Sequence, residues 1–255
     1  EENDCYNDKL DIWRNIVNSI PTYKTNKDGA VKEWQDDRFE DRYYHRHLSH
    51  LYPVFPGDEI TSESNNISSF EKAVDLREIG VQTGWSLVHM AAIYARFERG
   101  NDAMQCLNDI AKTCIQKNFF TLHNDWRRMD ISLEMESSAT VQLDALMGYV
   151  NAVQEMILYS SEKLIKLLPA LPDNMSKGKI DMWRFVGGSV NMEWDIKLGK
   201  FIAMLKADRD IVIDIKLPKI FADKCRFLGN ATVNQNGEIV SAKFKKGDVL
   251  NIISD

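Results

Sequence analysis

The chain has 255 residues, of which 44% are apolar and 27% charged, an ordinary globular balance that argues against disorder. Its net charge of −6 is spread without a run of five like charges, which leaves little electrostatic case for nucleic acid or an anionic membrane. No stretch of eighteen apolar residues suggests a membrane span, and EENDCYNDK lacks the features of a signal peptide, so the compartment is left undecided.

In chain order, the first two thirds read as helical. LDIWRNIVNSI places Leu10, Trp13, Ile16, Val17 and Ile20 on one face, and Pro21 ends it. Pro21 to Glu40 reads as a loop. A second helix is expected over Ser68 to Ile79, stopped by Gly80. TGWSLVHMAAIYARFERG then offers an N-cap at Thr83, an apolar stripe through Leu87, Met90, Ala91 and Tyr94, and a terminating Gly100. Asp102 to Cys114 follows as its antiparallel partner. TVQLDALMGYVNAVQEMILYSSEKLIKLL is apolar over most of its circumference and is expected to be a deeply buried helix.

Past LLPALPDN the period changes. Ile211, Ile213, Ile215 and Leu217 alternate with Val212, Asp214 and Lys216 as in a half-buried strand, and ATVNQNGEIVSAKF reads as a hairpin turning at Asn236-Gly237. The expected fold class is therefore mainly α with a C-terminal β module, divided near Pro172 into residues 1–172 and 173–255. Cys5, Cys106, Cys114 and Cys225 lack CxxC spacing, and Cys106 and Cys114 read as core thiols.

The chemistry concentrates in VKEWQDDRFEDRYYHRHLSHLYPVFPG, residues 31–57. His45, His47 and His50 raise the question of metal. No HExxH pattern or nearby cysteine completes a set, and in a helix starting near Arg46, His45 would point away from the other two. A structural reading has the imidazoles and Arg46 satisfying Asp36, Asp37, Glu40 and Asp41. It does not explain Trp34, Tyr43, Tyr44, Tyr52 and Phe55, aromatic faces of the kind that pack on the C–H face of a sugar. Glycoside hydrolysis needs two carboxyl groups. Glu33, between Val31 and Trp34, has a partly apolar setting suited to a general acid. Asp144, a lone acid in an apolar run, is either its partner or an N-cap for the following helix, and spacing leaves both open.

Taken in order, KEW, HRHLSHLYPVFPGDEI, TGWS, YARFERG, VQLDALMGYVNAVQEMILYS and LLPALP resemble the catalytic region of glycoside hydrolase family 95, the inverting α-L-fucosidases. The resemblance covers roughly residues 10–200, with the β tail similar to those enzymes' small C-terminal module. It implies part of an (α/α)6 toroid, no metal and no cofactor, and a fucosylated oligosaccharide or glycan as partner, typically α-1,2-linked to galactose. Glu33 corresponds to the general acid and Asp144 to the acid that activates water. Arg46 and His47 correspond to residues that bind the sugar hydroxyls, and Trp85 together with His123, Asn124 and Trp126 of LHNDWR resembles segments facing the site. Trp85 opens a helix and is equally readable as core, and His89, one turn on, reads as a satisfied helix histidine. Family members commonly carry Gly-Asn after the second acid, where this chain has Ala145 and Leu146. The resemblance also implies that a β-sandwich and the first half of the toroid precede this segment. On that expectation the helix faces seek a missing half or a second copy, and the isolated chain has little or no turnover. The alternative is a non-catalytic remnant that binds carbohydrate or a partner subunit.

Overall fold

The computed structural model describes residues 4–134 and 139–254. Five α-helices in this range lead into ten strands forming two five-stranded sheets, so the mainly α chain with a C-terminal β module is what folds.

Helix α1 (Leu10–Ser19) stops at Ile20 ahead of Pro21, but its apolar stripe is exposed and none of its residues is buried. The next segment is loop, pinned by a bridge between Thr25 and Val31 and by Val31 N–H donating to Ser69 O at 2.9 Å. No helix starts at Arg46; the region holds only a single 3-10 turn, Ser49–Leu51. Helix α2 (Ile67–Asp75) buries Phe70, Ala73 and Val74 and ends before Gly80, which instead lies in a 3-10 turn at Ile79–Val81.

Helix α3 (Gly84–Arg96) begins as expected. Thr83 and Ser86 form a reciprocal capping box, with Thr83 N–H donating to Ser86 Oγ at 2.8 Å. Its end differs from expectation. Glu98, at φ +63°, takes the left-handed position that closes the helix, and Gly100 opens α4 (Gly100–Thr113). The glycine is there for space: a Cβ at residue 100 would lie 2.2 Å from the Ala170 carbonyl oxygen. Helix α4 buries Cys106, Leu107 and Ile110 against α3, and both Cys106 and Cys114 are buried free thiols.

Helix α5 (Leu143–Ile157) departs further from expectation. It packs on α3 through Ala145, Ala152 and Met156, yet Leu143, Met147 and Val150 are each 65% exposed, so only part of the helix is buried. It also stops at Ile157. Leu158–Ser160 (β1) and Leu164–Leu167 (β2) form an antiparallel pair about the Ser161 turn, so strand pairing begins ahead of Pro172. The remaining strands are β3 (Lys177–Phe185), β4 (Gly188–Asp195), β5 (Lys200–Ala207), β6 (Ile211–Lys216), β7 (Cys225–Gly229), β8 (Thr232–Asn236), β9 (Ile239–Phe244) and β10 (Val249–Ser254).

One sheet runs β1-β2-β6-β9-β8 and the other β3-β4-β5-β10-β7. Pairing is antiparallel throughout except between β2 and β6. Ile213 and Ile215 point into the shared core while Val212 faces out, as the alternation predicts. The β8–β9 hairpin turns at Gly237, φ +59°. Glu98 joins the two parts: its carboxylate accepts from Lys166 Nζ at 2.8 Å, Lys216 Nζ at 3.0 Å and Ser62 Oγ at 2.9 Å.

Candidate active site

Glu33 sits on a loop whose shape Asn26 and Asp41 impose. Asn26 Oδ1 accepts from the Asp28 and Ala30 amides, turning the chain at Gly29 (φ +81°). Asn26 Nδ2 donates to Asp41 at 2.6 Å, and Asp41 in turn accepts the Glu33 amide at 2.8 Å. Buried Ala30 and Val31 fix the segment leading in.

The Glu33 side chain is 13% exposed, and Arg77 Nη2 stands 3.9 Å from its Oε2. Glu33, Trp34, His45 and Asp41 help line a cavity of about 530 Å³, together with Arg38, Phe39, Glu40 and Arg42. Trp34 is 47% exposed and tilts against Phe39, ring centroids 5.4 Å apart. An acid near the wall and an open indole together suit a sugar-sized ligand.

Asp144 lies in the first turn of α5 and is exposed, not buried as its apolar neighbours in the sequence suggest. Nor is it the cap. Gln142 holds that position, and its Oε1 accepts the Trp85 amide at 3.1 Å, coupling the starts of α5 and α3. The Asp144 carboxylate accepts only its neighbour's amide, from Ala145 at 3.0 Å, among the described hydrogen bonds. It borders a cavity of about 240 Å³ with Trp85, His89, Asn151, Phe55 and Gly148.

A run of ring contacts links residues of the two cavities. The His45 and His47 rings lie 4.8 Å apart, and His47 meets Trp85 edge-on at 5.1 Å. His45 lines the Glu33 cavity and Trp85 the Asp144 cavity, so the rings of His45, His47 and Trp85 run from the wall of one cavity to the wall of the other. Burial, and after it the charges of His45 and Arg46, lower the His47 imidazole below its ordinary value, against a weaker upward pull from Glu33. Arg46 itself is half-buried and lines neither cavity.

His123 and Asn124 hydrogen-bond each other, and Asn124 Nδ2 donates to Glu134 O at 2.9 Å. Their segment reaches the start of α3 through the Gly84 amide, which donates to His123 O at 3.0 Å, but neither side chain lines the two cavities. Trp126 packs under Arg127. No group of three or more His, Cys, Asp and Glu side chains among the described residues could hold a metal ion.

Asn151 and Arg77 escaped the sequence analysis, and His89, read there as a helix histidine, also lines a cavity. His89 and Asn151 recur one and two helical turns from Trp85 and Asp144, a spacing that places them on the cavity face. His89 also bonds the Phe55 carbonyl at 3.0 Å through Nε2. Arg77, 1% exposed beneath Glu33, carries no local signal at all.

Acidic and aromatic side chains thus gather on the loops before α2 and at the starts of α3 and α5, on one part of a layer of helices. Residues 2–157 match the glycosyl hydrolase family 95 catalytic domain, and the chain belongs to that family. It is similar to Alpha-L-fucosidase 2 of Arabidopsis thaliana, 31% identical over 191 residues that make up 69% of this chain and 21% of the relative. Probable alpha-fucosidase A of Aspergillus oryzae is 28% identical over 190 residues, covering 66% and 25%. The protein of that same name from Aspergillus niger is 26% identical over 186 residues, covering 66% and 22%. The chain thus spans between a fifth and a quarter of the length of these relatives.

Proposed function

We propose that this chain carries the acid/base half of an α-L-fucosidase site, acting on terminal α-L-fucosyl linkages of the α-1,2 type with inversion. The observation that supports the reading is that Glu33 and Asp144 each line a cavity, with His45, His47 and Trp85 in ring contact between the two walls, inside a family 95 match. Glu33 protonates the glycosidic oxygen as general acid. Asp144, open to solvent at the start of α5, helps draw a proton from water attacking the opposite face of the sugar. Trp34 and Trp85 offer flat faces to the ring, and Arg46 and His47 bind its hydroxyls. His123 and Asn124 belong to the outer wall, which their link to the start of α3 supports. The division into residues 1–172 and 173–255 assigns the site to the first part.

The test is hydrolysis of 2′-fucosyllactose by this chain and by Glu33→Gln and Asp144→Asn, with the released anomer followed by NMR. Loss in both variants and β-fucose as first product support the reading. Activity retained in either variant, or α-fucose released first, sinks it. The exposed Trp34, with the bare apolar face of α5 beside Asp144, favours a second reading, a non-catalytic piece that binds carbohydrate or a partner subunit. Under that reading Glu33→Gln leaves fucoside affinity intact and turnover is absent in every variant.

A further inference from the structure

Resting on the assignment of Glu33, we infer that Arg77 is a positioning residue for its carboxyl, and that His50 aims Arg77 by holding the Nδ1–H tautomer. The Arg77 side chain is 1% exposed and lies under the loop that carries Glu33. Its Nη1 donates to Arg42 O at 2.7 Å and to His45 O at 3.3 Å, pinning the segment that lines the Glu33 cavity. Its Nη2 faces two groups at once: His50 Nε2 at 3.1 Å and Glu33 Oε2 at 3.9 Å.

The tautomer follows from the donor inventory. A guanidinium has only donors, so His50 Nε2 must accept and the ring proton must sit on Nδ1. Burial disfavours a protonated His50, and the fixed cation at 3.1 Å adds to that penalty; together they keep the imidazole neutral. Neutral His50 therefore holds one side of the guanidinium edge, and the other side points at Glu33.

The 3.9 Å separation is an ion-pair distance and too long for a hydrogen bond. Arg77 orients the carboxyl without tying up the oxygen that must carry the proton. Glu33 also feels Asp41 through its amide and His47 through space, and Arg38, Glu40, Arg42 and His45 line the same cavity. Of the cations in this set, Arg77 is the one fixed by backbone carbonyls beneath the carboxyl. His50 Nδ1, Arg77 Nε and Gln82 Oε1 are buried without a hydrogen-bond partner among the described residues, the sort of concentrated polar cost that functional sites carry.

The test is ¹⁵N NMR on the whole chain, with His50 assigned through His50→Gln. The expected result is His50 as the Nδ1–H tautomer, unchanged between about pH 5 and 8, and Arg77 Nη resonances that shift in Glu33→Gln. An Nε2–H ring, titration of His50 in the ordinary imidazole range, or Arg77 signals indifferent to Glu33→Gln overturns the inference. None of these readouts needs turnover. Where hydrolysis is measurable, His50→Leu lowers kcat about tenfold or more with KM within about twofold, the mark of lost positioning. His50→Gln, whose amide oxygen replaces the Nε2 acceptor, recovers kcat to within about threefold of the native value. Equal losses in both variants with a raised KM overturn the positioning role. No turnover, with the expected NMR signature, counts against the fucosidase reading of this chain and leaves the Arg77–Glu33 pairing standing.

Discussion

His47 meets Trp85 edge-on, ring centroids 5.1 Å apart and planes at 73°, and through His45 this contact ties the wall of the Glu33 cavity to that of the Asp144 cavity. An edge-to-face pair contributes about 0.5–1.5 kcal/mol beyond the area it buries. Truncating Trp85 to alanine removes that pair and one wall of the Asp144 cavity. Fucose binding is expected to weaken about tenfold, measured by calorimetry, with the folded chain retained. Unchanged affinity would place the sugar elsewhere.

The buried histidines make the fold acid-sensitive. Burial and then the Arg77 charge push His50 down to about 3, and burial lowers His89. Asp41 pulls His50 the other way, too weakly to prevail. An unfolded histidine titrates near 6.5, so between about pH 6.5 and 3 the unfolded chain binds a proton that the folded chain refuses. Stability is full above pH 6.5 and falls as the pH drops through that window. His50 alone should cost about 2 kcal/mol at pH 5, read from urea midpoints, and His50→Gln should flatten that slope.

How much of this was legible in the sequence depended on whether the cause was local. The Thr83 cap, the Ile213 and Ile215 alternation and the Asn236-Gly237 turn are short-range stereochemistry, and each appears where the residues placed it. Gly100 misled because its reason is the Ala170 carbonyl, a contact from far along the chain. The expected helix through Leu168 failed because β2 finds a parallel partner in β6, which no local pattern announces. For the candidate site, Glu33, Trp34 and Asp144 stand out by their neighbours in sequence, while His47 and Trp85 enter through the family resemblance. Arg77 does neither, since only folding brings it within 3.9 Å of Glu33.

Glu98 holds the helical part to the β module. Burial would raise its carboxyl, but hydrogen bonds and charge from Lys166 and Lys216 hold it below the ordinary value. Lys166 is only 6% exposed, so Glu98→Gln strands a buried ammonium. The expected loss is about 2–3 kcal/mol in chemical denaturation. Glu98→Gly relieves the left-handed backbone by about 1 kcal/mol and still destabilises, because the stranded lysine costs more.

Leu143, Met147 and Val150 form a bare stripe on α5 at helical spacing. Exposed apolar stripes of this kind promote association. Leu143→Lys with Met147→Lys is expected to change stability by less than about 0.5 kcal/mol, as surface substitutions do. Concentration-dependent association in sedimentation velocity should fall. A large loss of stability would show that the stripe is covered in solution.

Gly148 decides how closely α5 approaches α3 behind Asp144. In an exposed helix, Gly→Ala gains about 1 kcal/mol from backbone entropy. Here the added Cβ would lie 2.6 Å from Val88 Cγ2, and Val88 is buried on α3 against the same cavity. Overpacking of this kind costs about 1–3 kcal/mol and outweighs the entropy gain, so Gly148→Ala is expected to destabilise by about 1 kcal/mol. The sign should reverse in a Val88→Ala background, where the methyl enters vacated space and the helix propensity shows through. A double-mutant cycle by thermal or urea unfolding reads that coupling directly. Because Gly148 lies one turn from Asp144 and lines its cavity, the single variant should also depress any turnover more than stability alone explains, and Val88→Ala should restore part of it. Additive effects across the cycle would mean that the two helices yield without resistance, and that the spacing between Asp144 and Trp85 is not set here.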